Sequence, residues 1–384
     1  MDALILLDYD TLRVVWWLLL GVLLAAFAVM DGADLGIAML LPVVTNDDRE
    51  RRVLFNVIGP VWEGNQVWLI VAGALVFAAW PLLYAMAFSG FYLAMMLLLV
   101  ALILRPVAIK YRSKMTSAVW RSRWDSIWCA TGIVAALVFG VAVGNVIVGA
   151  PFGFEQSTLR PMYDGSFFAL FMPFPLLCGV ISVLLLAFQG AVVLSWKTEG
   201  SIARKSKRWA IYTGLLSMAL FVLAGWWIAT SIPGYTIENA ALVHSFSNPL
   251  AKTVTVSAGG WMSNYDSYAW MWAAPVTAVA GMLLAIVLVG RRSGLLAVFC
   301  SSASVVGVVL TFGFSLFPFL LPSSTQPNSS LTIYDASASH FSLWIMLLIS
   351  AFFLPIIVMY TSWVYKVMGG KVTPESVEDS SHSY

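Results

Sequence analysis

The chain has 384 residues, 60% of them hydrophobic and only 10% charged. Soluble domains average about 25% charged residues, so the composition excludes a water-soluble globular protein and indicates an integral membrane protein. The net charge of +2, with basic residues at predicted membrane edges and no continuous stripe, excludes a nucleic-acid partner.

Asp2, Asp8 and Asp10 precede the first apolar run. A cleavable signal peptide needs positive charge there, so none is expected. Nine apolar runs are long enough to cross a hydrocarbon core of about 30 Å. They cover roughly 14–44, 53–80, 82–104, 126–148, 167–196, 209–231, 268–290, 295–320 and 341–367. The second and third meet at Trp80-Pro81, a predicted tight turn. The expected fold is all-α and polytopic, one transmembrane domain over 1–370 with a polar cytoplasmic tail over 371–384, disordered from Thr373 on. No short-period repeat is visible.

Orientation follows from lysine and arginine placement. All but three of the 21 basic residues fall in the links after runs 1, 3, 5 and 7 or at the end of the chain. Among them are Arg49, Arg51, Arg52, Arg105, Lys110, Arg112, Lys114, Lys207, Arg291 and Arg292. The other side has Arg13, Arg160 and Lys252. This alternation predicts an outside N-terminus and a cytoplasmic C-terminus. The outer link 234–266 is long and polar, with Asn248-Pro249 and Gly259-Gly260 breaking regular structure. Trp16, Trp17, Trp226, Trp227, Trp363 and Tyr365 fall at predicted edges, as an aromatic belt does. Cys129, Cys178 and Cys300 lie inside apolar runs without CxxC spacing, which disfavours disulfides and thiolate metal sites.

Carboxylates inside apolar runs carry the functional signal, because intramembrane acids are costly. Asp34 lies 11 residues before Thr45, and Glu63 lies 11 residues after Arg52. In two continuous helices each would sit about 16 Å from the shared link. Asp31 is one turn from Asp34 on the same face, so three acids are expected at comparable depth. Glu63 is flanked by Trp62, Asn65, Gln66 and Trp68. Desolvation would tune it to exchange protons near neutral pH, with Asn65 and Gln66 holding waters or orienting the carboxyl. The alternative is an acid that only locks helices together. Gly32 and Gly36 give Asp31 and Asp34 a small face for close helix contact. Function and structural pairing stay equally open for those two. Asp125 follows Arg121 and Arg123 at the cytoplasmic start of run 4. An interfacial ion pair and a proton entry point are its two readings.

His244 falls in an outer loop, His340 at a run edge and His382 in the tail. A membrane haem usually needs an axial His or Met inside the bundle. The 16 methionines read as packing, so no haem or metal ligand is expected in this chain. Walker, HExxH and Rossmann patterns are not found.

Several stretches together resemble a known family. They are Asp10-Thr-Leu-Arg-Val-Val-Trp-Trp17, Phe27-Ala-Val-Met-Asp-Gly-Ala-Asp-Leu-Gly36, Trp62-Glu-Gly-Asn-Gln-Val-Trp68, Ala79-Trp-Pro81, Phe88-Ser-Gly-Phe-Tyr92, Arg105-Pro106, Tyr111-Arg-Ser-Lys114, Phe317-Pro-Phe319 and Pro322-Ser-Ser-Thr325. The chain resembles subunit II of the cytochrome bd-type quinol oxidases, including the cyanide-insensitive branch. The resemblance implies two four-helix bundles plus a peripheral helix in a bacterial cytoplasmic membrane. It implies a complex that reduces O2 to water with electrons from quinol and builds a proton gradient without pumping. Haems b and d and the quinol oxidation site would lie in the partner, subunit I. Subunit II would ligate no haem and would supply a cytoplasmic proton path through Glu63, lined by Trp62 and Trp68. Asp31, Asp34 and Asp125 match other family acids. Some members hold a quinone in this subunit, and small single-span accessory subunits are a further partner class. On physics alone, an ion-coupled transporter and a purely structural partner remain rival readings. Clear inverted repeats, which would favour a transporter, are not seen.

Overall fold

The computed structural model describes residues 5–155, 157–238, 247–291 and 294–373. Helices dominate it: α1 (Tyr9–Val44), α2 (Asp48–Ile58), α3 (Trp62–Ala79), α4 (Pro81–Gly90), α5 (Tyr92–Tyr111), α6 (Ala118–Val148), α7 (Pro173–Lys197), α8 (Gly200–Thr230), α9 (Ser263–Ser267), α10 (Ala273–Gly290), α11 (Gly294–Leu316) and α12 (His340–Val367). Among the described residues, nine helices are long and apolar enough to span a membrane. They correspond one to one with the nine apolar runs. α1, α3, α5 and α6 pack as one bundle, and α7, α8, α10 and α11 as a second. α1 and α6 both lie against α7 and join the two. α12 leans on α1 and exposes most of its surface.

Helices in lipid gain no hydrophobic drive from packing on one another, so close contact comes from small residues. The α1–α7 seam is such a contact. A Cβ on Gly32 would lie 2.7 Å from the Leu186 side chain, and one on Gly36 would collide with the Leu186 carbonyl. One on Gly190 would strike the Gly36 backbone in return. The small face predicted for Gly32 and Gly36 is therefore in use.

Two boundaries differ from the sequence expectation for local reasons, while the turn at Trp80-Pro81 is where it was expected. The second run, 53–80, is two helices. α2 ends at Ile58, Gly59-Pro60-Val61 forms a turn with Val61 N–H donating to Ile58 O at 2.9 Å, and α3 starts at Trp62. Proline has no N–H to continue a helix, while the unbroken apolar character hid the break. Near Trp80, α3 stops and Pro81 opens α4, where its missing N–H is harmless. α5 then runs on to Tyr111, seven residues past the expected end. Arg105 is therefore not a link residue. It lies inside a helix with its side chain fully buried.

The links after α6, α8 and α11 are more regular than expected. Each contains an antiparallel hairpin: β1 (Phe152–Phe154) with β2 (Pro161–Tyr163), β3 (Pro233–Ile237) with β4 (Val254–Ala258), and β5 (Phe319–Leu321) with β6 (Leu331–Thr332). Gly259 follows β4 at φ +75°, a backbone angle that glycine adopts without strain. Tyr235, Trp261 and Phe319 meet with ring centroids 5.5–6.1 Å apart, joining two hairpins across one end of the molecule. Lys252 is buried there against Asp335, Nζ to Oδ2 at 2.7 Å. Burial pushes the Lys252 ammonium down and the Asp335 carboxyl up, each opposed by the other's charge.

The segment expected to be disordered, 373–384, lies outside the described residues but for Thr373. The two residues before it are anchored: Val372 N–H donates to Lys197 O at 2.8 Å, and Lys371 pairs with Glu199 at 2.8 Å.

Candidate functional site

The sequence-predicted acids separate into three places. The first is sealed inside the α1–α3–α5 bundle. Asp31 and Asp34, on one face of α1, both turn toward Arg105 of α5. Arg105 Nη1 lies 2.6 Å from Asp31 Oδ1, and Nη2 lies 3.5 Å from Asp34 Oδ2. Asp31 and Arg105 are fully buried, and Asp34 and Asn65 nearly so. Asn65 Nδ2 donates to Asp34 Oδ2 at 2.8 Å, and the Tyr365 hydroxyl from α12 donates to Asn65 Oδ1 at 2.9 Å. A hydrogen-bonded line thus runs from the peripheral helix to the bundle centre. Two carboxylates against one guanidinium leave a formal charge of −1 unless one proton is held.

The second place is the end of the bundle where α2, α5 and α6 meet. Arg112, buried just after α5, grips Asp125 through Nε to Oδ1 at 2.5 Å and Nη2 to Oδ2 at 3.2 Å. Its Nη2 also reaches Asp48 Oδ1 at 2.6 Å, and its guanidinium lies 5.1 Å from the Phe55 ring centre. Arg51 adds a bond to Asp125 at 3.0 Å, and Arg121 one to Asp48 at 2.8 Å. Forked arginine–carboxylate pairs are directional and strong. Burial pushes the Asp48 carboxyl up, but bonds and charge from Arg112 and Arg121 overcome this and hold it below its ordinary value. Asp125 is held in the expected kind of ion pair. Its partners are Arg112 and Arg51, while the adjacent Arg121 goes to Asp48.

Glu63 forms the third place, alone. It sits in the first turn of α3 with its side chain 69% exposed on the chain surface, its carboxylate 3.7 Å from Lys110 Nζ. The expectation of a mid-helix acid is corrected by the Gly59–Val61 break, although Glu63 stays two residues from Asn65, which bonds Asp34. Its supposed polar escort is corrected as well. Residues two apart on a helix do not face each other, and Asn65 turns inward to Asp34. Trp62 and Trp68 are buried in separate parts of the core rather than around the carboxylate, and Gln66 is half-buried. The exposed face carrying Glu63 continues through Val67 and Ile70, 42% and 65% exposed.

Sequence reasoning missed Arg105 and Tyr365 as site residues. The apolar stretch Val107-Ala-Ile109 after Arg105 signals a continuing helix around it. Tyr365 carries no such signal and reads as an interfacial aromatic. His340 Nε2 is engaged with Leu7 O at 2.8 Å, while His244 and His382 lie outside the described residues. Among the described residues, no group of three His, Cys, Asp or Glu side chains is placed to hold a metal ion.

The comparisons with known proteins are decisive. The family model for cytochrome bd terminal oxidase subunit II matches residues 12–368. The chain belongs to this family. It is 43% identical over 378 residues to cytochrome bd-I ubiquinol oxidase subunit 2 of Escherichia coli (strain K12), covering 98% of this chain and all of that protein. A probable cytochrome oxidase subunit 2 of Haemophilus influenzae is 41% identical over 379 residues, with the same coverage. The solved bd oxidase from Geobacillus thermodenitrificans shares the fold, with a TM-score of 0.64 at 17% identity over 91% of this chain and 98% of that one. As a bd oxidase subunit II with nine apolar helices among the described residues, the chain is a multi-pass protein of the bacterial cytoplasmic membrane.

Proposed function

We propose that this subunit II conducts protons from the cytoplasm toward the oxygen-reducing haem of subunit I, and braces that subunit, in an oxidase that takes electrons from quinol. Glu63 is the proton-transferring group. It exchanges protons directly, while the Asp31–Asp34–Arg105 cluster sets the local charge. The Asp48–Asp125–Arg112 cluster fastens α2, α5 and α6 at the predicted cytoplasmic end. Haems b and d and the quinol oxidation site belong to the partner.

The single observation that carries this reading is the exposure of Glu63. A carboxylate in the first turn of a spanning helix, outward among Val67 and Ile70, is costly against lipid. It is comfortable where a partner's polar groups or a water-filled seam meet it. Among the described residues Lys110 supplies the only ion pair to it, long and exposed. In contrast, Asp31 and Asp125 are gripped by buried arginines, a poor arrangement for rapid proton release. The proposed path therefore enters at Glu63 rather than passing through Asp125 or Asp31 first.

Purification of the tagged chain from its native membrane tests the reading. Co-purification of a haem-bearing subunit with quinol-dependent O2 uptake, and loss of that uptake in Glu63→Ala with the haem spectrum intact, is the expected result. Full uptake in Glu63→Ala rejects the proton role, and a chain that purifies without a haem-bearing partner rejects the whole.

A further inference from the structure

The second bundle bears a charged cleft that the proton path does not use. It opens where α7 ends, α8 begins, α10 ends and α11 begins, with a volume of about 340 Å³. Lys207 of α8, Arg291 after α10 and Lys371 after α12 bring three cations to its walls, and Trp196, Val289 and Gly294 supply the apolar surface. Lys371 is neutralised by Glu199 at 2.8 Å. The side chains of Lys207 and Arg291 form no hydrogen bond or ion pair with another described residue, so among the described residues the cleft carries two positive charges without a counter-charge.

The walls are built rather than accidental. The segment bearing Lys371 is pinned over the end of α7 by two bonds, Lys197 Nζ to Met368 O at 3.2 Å and Val372 N–H to Lys197 O at 2.8 Å. A Cβ on Gly294 would approach the Trp196 ring to 3.0 Å, so glycine keeps the chain close against the indole. Below the cations, toward the middle of the bundle, Leu284, Val287 and Phe299 are 54%, 51% and 61% exposed. Cations above and bare apolar helix below match the order of headgroup and acyl chain in one leaflet. This end also holds the lysine- and arginine-rich links, which the positive-inside rule puts in the cytoplasm. Basic clefts between spanning helices on that side bind anionic headgroups.

We propose that this cleft is a binding site for an anionic phospholipid of the inner leaflet, with its phosphate held by Lys207 and Arg291 and its acyl chains lying along α10 and α11. Zwitterionic lipid, which brings its own ammonium, is disfavoured there. A free phosphate gains the charge but leaves the apolar strip uncovered.

The test uses the intact oxidase complex, stripped of lipid in detergent and re-supplied with phosphatidylglycerol or phosphatidylethanolamine, with bound lipid counted by native mass spectrometry. The wild-type complex is expected to retain phosphatidylglycerol in preference to phosphatidylethanolamine, and excess inorganic phosphate is expected not to displace it. Lys207→Gln with Arg291→Gln is expected to weaken phosphatidylglycerol retention about thirty-fold, from loss of two cations near the surface. Arg208→Gln removes a charge from the same helix outside the cleft and is expected to leave retention unchanged. An unaltered haem spectrum certifies assembly of each variant. Equal retention by the double variant, equal retention of the two lipids, or displacement by inorganic phosphate overturns the proposal.

Discussion

Arg105 Nη1 stands 2.6 Å from Asp31 Oδ1 with both side chains shut off from solvent. The same guanidinium extends toward Asp34, so one cation answers two acids across the α1–α5 seam. A buried pair of this kind adds little over a well-packed apolar pair, but breaking it is expensive. Arg105→Leu is therefore expected to lower the stability of the complex by about 3–5 kcal/mol, read as a lower thermal midpoint and poorer yield. Arg105→Lys keeps the charge but not the fork, and its thermal midpoint is expected between the two. A midpoint for Arg105→Leu equal to wild type contradicts the pairing.

The line continuing from Asp34 gives a graded series. Asn65→Leu takes a donor from a buried carboxylate and is expected to cost about 1.5–3 kcal/mol. Tyr365→Phe removes one neutral bond to an amide and is expected to cost about 0.5–1.5 kcal/mol. Denaturation midpoints of the two variants should fall in that order. The reverse order would show that Tyr365 acts elsewhere.

Asp48 predicts a pH effect of defined sign. Its folded carboxyl titrates below its ordinary value of 3.8, so the unfolded chain binds the proton more readily. The stabilisation is full above the ordinary value and is lost as pH falls through the lower folded value. The gap in thermal midpoint between wild type and Asp48→Asn should hold steady from neutral pH to about pH 5 and narrow below that. A gap that widens on acidification contradicts the assignment to Arg112 and Arg121.

Gly36 and Gly21 lie on the same helix but differ in surroundings. A methyl group at Gly36 meets the Leu186 carbonyl, whereas one at Gly21 has nothing within 4 Å. Gly36→Ala is expected to cost about 1–3 kcal/mol through overpacking. Gly21→Ala is expected to be neutral or stabilising by up to about 1 kcal/mol. Thermal midpoints of the two variants check the contrast.

What the sequence discloses follows from where apolar length decides the outcome. All nine spans were legible because a run of twenty apolar residues has few other fates. The small face at Gly32 and Gly36 was legible because spacing alone creates it. The break before Trp62 was not, because Gly59-Pro60-Val61 is as apolar as its neighbours and only the missing proline N–H marks it. That one turn moved Glu63 from a supposed mid-helix position to the first turn of α3. Arg105 was misplaced because an arginine near the end of an apolar run reads as a link. Its burial depends on Asp31, 74 residues away in sequence, which no local pattern records. The hairpins beyond α6, α8 and α11 were hidden for the same reason, since their pairings close over long or irregular loops.

The account stands or falls on Glu63 as the group that passes protons inward. The most direct measurement is the rate of proton uptake from the cytoplasmic face during a single turnover of the purified complex reacting with O2, in wild type, Glu63→Gln and Glu63→Asp. Uptake in Glu63→Gln is expected to slow by about 100-fold, the scale for losing a positioned proton-transfer group, with a milder loss in Glu63→Asp and an unaltered haem spectrum in both. Proton uptake in Glu63→Gln at the wild-type rate would contradict it.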